Sequence, residues 1–309
     1  MAEPGNRRVA VIGEALIDRF ADADVIGGAP FNVARNLALL GAAPTLVTRI
    51  GADAPGATIA AEFERLRLDP RGLQRDAARA TGIVTVHMHG TQHRFEIGAD
   101  SAWDHLDADE AARVVRESAP AVICFGTLAQ RGAVSRAAIH AALAASDAVP
   151  FLDLNLRDGP DNRALAEDSL TRARLVKVND DELDRLIAWF VEPGRPAQRA
   201  DAEVLVKRFD LRCLAITRGA QGWACLDAQR GWLEGRAGPV TVRDTVGAGD
   251  AFSAVLVLGE LSGWPLPTTL RRAAEFASAV CTIAGAVDPA SGIYAAARSA
   301  WAAGDATRS

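Results

Sequence analysis

The chain is short of several residue types, and each shortage closes off a class of function. Its four cysteines, Cys124, Cys213, Cys225 and Cys281, lie singly within apolar runs. None has the C-x-x-C spacing of a zinc site or a redox motif, so they read as buried thiols of a reducing compartment. Of the histidines, His87, His89 and His93 lie close together, but no H-E-x-x-H pattern frames them, and metal binding there is not expected. Aromatic residues make up only 6% of the chain, which leaves few flat walls for stacking a nucleoside. The net charge is −5 with Lys and Arg scattered, so no basic face is available for nucleic acid or an anionic membrane. No apolar run is long enough to cross a bilayer, and residues 1–8 have no apolar core of a signal peptide; a cytoplasmic location is the expectation. Three motifs are also missing. Without G-x-G-x-x-G after the first strand, G-x-x-x-x-G-K-[ST] or G-x-S-x-G, the chain has no dinucleotide fingerprint, no P-loop and no acyl-transfer serine elbow.

What is present is regular. The 309 residues are about half apolar, enough for one large α/β domain. Continuous apolar runs at 9–13, 46–50, 122–125, 151–154, 175–178 and 214–217 read as strands buried on both faces. Helical patterns at 32–40, 57–66, 108–117, 135–145 and 180–189 alternate with them. That alternation predicts a mainly parallel sheet between two layers of helices, with ligands outside the carboxyl ends of the strands. Residues 82–98 break the rhythm with period-2 alternation around Gly90-Thr91, which predicts a hairpin, either an edge addition or a small lid completed by residues 15–26.

The densest chemistry lies in Asp244-Thr245-Val246-Gly247-Ala248-Gly249-Asp250-Ala251-Phe252, directly before the apolar run 251–261. Glycines at a helix start turn backbone N–H groups toward an anion, and the helix dipole favours one. An acid there either supplies ordinary first-turn stabilisation or takes a proton from a hydroxyl that attacks a phosphoryl group. A second turn, Gly27-Gly28-Ala29-Pro30-Phe31-Asn32, leads into another helix; its glycines admit close backbone approach and Asn32 offers an amide. Upstream, Asp18 suits the vicinal hydroxyls of a sugar. In Asp153-Leu154-Asn155-Leu156-Arg157, strand alternation places Asp153, Asn155 and Arg157 on one face, where Arg157 either pairs with Asp153 or meets a phosphoryl group. Asn179 and Glu182 form a capping-box pattern, with a role for Glu182 in holding waters of Mg²⁺ left open. Thr217-Arg218-Gly219-Ala220-Gln221-Gly222 is either a tight turn or a phosphate wrap.

In this order the motifs resemble those of the ribokinase-like PfkB family of carbohydrate kinases, over about residues 8–300. Residues 27–34 are similar to the family's N-terminal signature and 244–252 to its C-terminal one. The resemblance implies a three-layer α/β/α domain spanning 1–309, with a small β-sheet lid from about 15–26 and 82–98. It implies that Asp250 is the base, that the N–H groups of Gly247, Ala248 and Gly249 form an anion hole, and that Arg157 meets the transferred phosphate. Asp18, Gly28, Asn32 and Phe95 would bind the sugar. Asn179, Thr217, Gly219, Gly222, Gly249 and Ser278 would bind ATP, with 276–286 near the adenine. Glu182 would act on Mg²⁺ through water and Asp244 at a monovalent-cation site, with K⁺ as the ion. Ser278 stands where many members have Asn. Lid strands pair between subunits in several members, so a homodimer is implied.

Within the family, Gly13-Glu14-Ala15-Leu16-Ile17-Asp18 and Asn179-Asp180-Asp181-Glu182 look most like bacterial fructokinases. The expected activity is transfer of the γ-phosphoryl group of ATP to an alcohol group of a small sugar, with fructose first. Ribose, 2-keto-3-deoxygluconate or a nucleoside as acceptor, and a silent sugar-binding regulator, are the rival readings.

Overall fold

The computed structural model of the protein describes residues 8–89, 92–157, 162–194 and 197–306, including all their side chains except those of 87–89, 92–95, 305 and 306. Strand β1 (Arg8–Ile12) shows the principle of the whole sheet: Val9 and Val11 enter one core, Ala10 and Ile12 the other. Successive side chains of a strand point to opposite faces, so a strand covered on both sides is apolar throughout.

After β1 the chain forms β2 (Leu16–Arg19) and β3 (Asp24–Gly27), then α1 (Ala29–Leu39) and β4 (Ala43–Gly51). Next come α2 (Ala54–Leu66), β5 (Leu73–Asp76), β6 (Gly82–His89) and β7 (Gln92–Ile97). Regular alternation follows through α3 (Ala108–Ser118), β8 (Val122–Phe125), α4 (Ala133–Ala144), β9 (Val149–Asp153), α5 (Asn162–Arg172) and β10 (Leu175–Asn179). Two helices, α6 (Asp180–Phe190) and α7 (Arg199–Arg208), precede β11 (Cys213–Thr217), β12 (Trp223–Asp227) and β13 (Gly231–Gly235). The chain closes with α8 (Ala248–Ser262), α9 (Leu266–Val280) and α10 (Ile293–Ala306).

The large sheet has the order β13-β12-β11-β10-β9-β8-β1-β4-β5. It is parallel from β11 to β5, and β12 and β13 are added antiparallel at one edge. Apolar residues of α1, α2, α8, α9 and α10 pack on one face and those of α3 to α7 on the other. This is a three-layer α/β/α architecture. Each fully buried Val, Leu, Ile or Phe of these layers contributes roughly 1.5–3 kcal/mol of transfer free energy.

Residues 16–27 and 82–97 form a second sheet, in the order β3-β2-β6-β7. The β2 strand runs antiparallel to β3 and parallel to β6, and β6–β7 is a hairpin. The turn expected at Gly90-Thr91 lies outside the described residues. Because β1 leads into β2 and β3 leads into α1, the small sheet stands beside the carboxyl ends of the large one.

Candidate active site

Two helices deliver the central pair of side chains. Helix α8 starts from Gly247, whose φ of 78° is left-handed. A Cβ there would lie 2.4 Å from the Ala286 Cβ, so conformation and space both call for glycine. No side chain caps this helix, and the N–H groups of 247–249 belong to its first turn, where the dipole favours an anion. The Ala248 N–H makes a long 3.3 Å contact with the Thr245 carbonyl.

Asp250 follows on the same turn and is partly exposed. Its Oδ2 accepts a hydrogen bond from Asn32 Nδ2 at 2.9 Å, across 218 residues of chain. Desolvation by the surrounding protein pushes its pKa up to about 7, with Asp153 adding to the rise, while the Asn32 hydrogen bond, Lys177 and Arg157 oppose it. A carboxylate titrating near neutrality is suited to exchange a proton with a hydroxyl.

Asn32 sits in the first turns of α1, whose N-cap is Gly28 with φ 101°. A Cβ on Gly28 would lie 2.6 Å from the Glu14 carbonyl oxygen. The Asn32 amide is oriented from behind: its Oδ1 accepts Arg35 Nη1 at 3.4 Å, and Arg35 Nε bonds Glu62 Oε1 at 2.8 Å. Because a guanidinium only donates, the amide must present its oxygen to Arg35 and its NH₂ to Asp250. Sequence reading missed Arg35 and Glu62; helical spacing placed Arg35 one turn after Asn32, but nothing indicated its partner.

Asp18 on β2 reaches the same end of the sheet. A Cβ on Gly27 would lie 2.2 Å from Asp18 Oδ2, so the first glycine of the pair leaves room for this carboxylate. Burial raises the Asp18 pKa to about 6, against the opposing effect of Arg157. Glu14 was not anticipated as a site residue. It is buried, its Oε2 has no hydrogen-bond partner, and desolvation raises its pKa to about 7, with Arg157 opposing and Asp250 adding. Arg157 is thus the cation shared by Glu14, Asp18 and Asp250.

One expectation is corrected here. Residues 153, 155 and 157 do not line one face of a strand, because β9 ends at Asp153 and Asn155 takes a positive φ of 41°. Asp153 does not pair with Arg157 either. Its Oδ1 lies 3.0 Å from Lys177 Nζ and its Oδ2 accepts the Ser253 hydroxyl at 2.7 Å. Arg157 is exposed.

A second group lies on the β10–β11 side. Asn179 and Thr217 are register partners at the carboxyl ends of those strands. Asn179 caps α6, and its side chain accepts the Glu182 N–H at 2.8 Å. Glu182 is buried, and its two oxygens accept the N–H groups of Leu156 and Asn179, each at 2.8 Å. It therefore ties the loop carrying Asn155 and Arg157 to the start of α6. The turn after β11 closes through an Arg218 N–H to Gly222 carbonyl bond of 2.8 Å. Space around Gly219 is open, whereas a Cβ on Gly222 would lie 2.1 Å from the Gly235 carbonyl oxygen.

Ser278 is partly exposed in the last turn of α9. Phe276, by contrast, faces the core, tilted against Tyr294 and edge-on to Trp301. Asp244 links two loops: Oδ1 accepts Val246 N at 3.0 Å and Oδ2 accepts Gly285 N at 2.8 Å. The side chain of Phe95 lies outside the described residues.

The family model for pfkB carbohydrate kinases matches residues 6–291. The chain belongs to the PfkB family. Among relatives of this carbohydrate kinase is the fructokinase of Klebsiella pneumoniae, 29% identical over 279 residues, covering 86% of this chain and 88% of that one. The fructokinase of Xylella fastidiosa with bound ATP superimposes with a TM-score of 0.79 at 22% identity, covering 96% of this chain and 99% of that one. A double mutant of the Vibrio cholerae fructokinase, with fructose, ADP and potassium bound, gives 0.78 at 22% identity, covering 95% and 99%. At that identity the two structures speak for the fold, which is the ribokinase-like one.

Proposed function

We propose that this sugar kinase transfers the γ-phosphoryl group of ATP to a hydroxyl of fructose, with Asp250 as the general base. The observation that carries the reading is the Asn32–Asp250 contact of 2.9 Å: it brings the two glycine turns to one point and aims a near-neutral carboxylate at it. The acceptor hydroxyl lies between Asp18, Asn32 and Asp250; it gives its proton to an Asp250 oxygen as its own oxygen attacks the γ-phosphorus, and the bond from that phosphorus to the bridging oxygen breaks to release ADP. The first-turn N–H groups of 247–249 and the Arg157 guanidinium stabilise the charge on the transferring group. The small sheet, with Phe95 on β7, closes over the sugar and excludes water, which would otherwise take its place as acceptor.

Asn179, Thr217, Gly219, Gly222 and Ser278 hold the nucleotide. Among the described residues no group of three or more His, Cys, Asp or Glu is placed to hold a metal. Mg²⁺ entering with the nucleotide would neutralise phosphate charge. Glu182 contributes through water, with its carboxylate already oriented by two backbone N–H groups. The loop pair joined by Asp244 is the candidate K⁺ site. A homodimer through the small sheet and a cytoplasmic location complete the reading. No helix of the described residues is long and apolar enough to cross a membrane.

The test is ADP formation from Mg-ATP across a panel of fructose, ribose, 2-keto-3-deoxygluconate and nucleosides. Fructose-dependent turnover supports the proposal. Turnover with another acceptor keeps the chemistry and replaces the substrate. Sugar binding without turnover points to a silent regulator.

A further inference from the structure

Lys177 is not among the residues that hold sugar, nucleotide or metal in the proposed reaction, yet its position is unusual. It lies on β10 and is only 6% exposed. Its Nζ is 3.0 Å from Asp153 Oδ1, and the other oxygen of Asp153 holds Ser253, one helical turn beyond Asp250 on α8. A Cβ on Gly249 would lie 3.1 Å from Lys177 Nζ, so the ammonium rests against the first turn of α8. Burial works against its charge, but Asp153, Glu182 and Asp250 outweigh that effect and keep the lysine protonated.

A buried ion pair is poor value for stability, since two apolar side chains of similar volume commonly do as well or better. Its placement is more informative. Of the five strand positions of β10 three are apolar, and the one polar residue with a buried side chain, Lys177, is the one behind the glycine turn. We propose that Lys177 and Asp153 are positioning residues for phosphoryl transfer: the ammonium supports the 247–249 turn from behind with positive potential, and the pair acts on the Asp250 carboxylate with opposite signs. The inference rests on the reading of Asp250 as base.

The charged and titratable groups around Asp250 are Asp153 from β9, Lys177 from β10, Arg157 from the loop after β9, Glu14 from the loop after β1 and Cys124 from β8. Lys177 also faces Glu182 from α6. Only Lys177 and Asp153 change in the test, so the others form a constant background. A base must be ionised to act, so activity is lost as pH falls through its pKa. Removing the cation raises that pKa; removing the neighbouring anion lowers it.

The experiment is the pH profile of kcat/KM, with an acceptor that the wild-type enzyme turns over, for Lys177→Met, Asp153→Asn and the double variant, alongside nucleotide affinity and thermal melting. Lys177→Met should move the acid limb to higher pH and Asp153→Asn to lower pH, each by about half a unit or more, with the double variant between them. Plateau kcat of Lys177→Met should fall about tenfold or more with nucleotide affinity little changed. A merely structural pair would move both limbs the same way or neither, and that result overturns the inference. If Lys177→Met does not fold, the displacement between Asp153→Asn and the double variant reads the same contribution. Asp250→Asn separates the two readings: full activity there removes the base itself, whereas an inactive Asp250→Asn with unmoved limbs in the other variants removes only the role of Lys177.

Discussion

Helices α1 and α8 both start from a glycine with positive φ, Gly28 at 101° and Gly247 at 78°, and neither has a side-chain cap. Both sit at the carboxyl end of the large sheet, and their first turns meet at the Asn32–Asp250 hydrogen bond. They differ in what each turn presents and in what stands behind it. Helix α1 presents an amide, backed by the buried Arg35–Glu62 pair. Helix α8 presents a carboxylate, backed by the buried Lys177–Asp153 pair. Two glycine-started helices of different ψ, 116° at Gly28 and −2° at Gly247, therefore carry different duties in the proposed reaction: the amide orients and the carboxylate exchanges a proton. The polarity of the pair behind each turn suits its duty, since a guanidinium fixes which way an amide faces, and an ammonium favours the charged form of a nearby acid.

The comparison breaks most sharply at Asp250. Asp250→Asn keeps the shape and the contact with Asn32 but removes the proposed base, and kcat should fall by roughly 10²–10⁴-fold. Folding should be retained, because a neutral side chain replaces a carboxylate that burial already disfavours. The matched substitutions Gly28→Ala and Gly247→Ala come next. Each forces an L side chain into left-handed backbone at a cost of about 1–3 kcal/mol, and each adds a clash, with the Glu14 carbonyl in one case and Ala286 in the other. Thermal melting should show both variants destabilised. The Gly28 variant meets rigid backbone, whereas Gly247 meets a side-chain methyl as its nearest atom. A smaller effect is expected from Arg35→Met. Glu62 keeps Arg65 as a partner at 2.6 Å, so stability should fall by about 1–3 kcal/mol. Turnover should drop a few-fold as the Asn32 amide loses its orientation.

Much of this architecture was legible from local pattern. Strands buried on both faces leave continuous apolar runs, and β8 coincides with the run at 122–125. The glycine turns were legible because few other residues tolerate such backbone. The antiparallel β12–β13 edge was not, since those strands mix Trp, Asp and Glu in short runs without a parallel-sheet signature. Period-2 reasoning failed at Asn155 because it assumes that the strand continues, and β9 stops at Asp153. The supporting residues Glu14, Arg35, Glu62 and Lys177 were missed for a different reason. Their meaning lies in contacts across the fold, and a single charged residue in a sequence looks the same on a solvated face as behind a glycine turn.

The central claim is that a carboxylate on α8 acts as the base and that an amide from α1 holds down its proton affinity against the effect of burial. It is tested most directly by the pH dependence of kcat/KM for the wild type and Asn32→Ala, measured with the same acceptor. The wild type should lose activity as pH falls through about 7, the value to which burial raises Asp250. Because the Asn32 hydrogen bond favours the ionised form, Asn32→Ala should move that acid limb to higher pH and lower the rate at neutrality. A wild-type profile flat from pH 5 to 8, or a limb that stays in place when the amide is removed, would contradict the account.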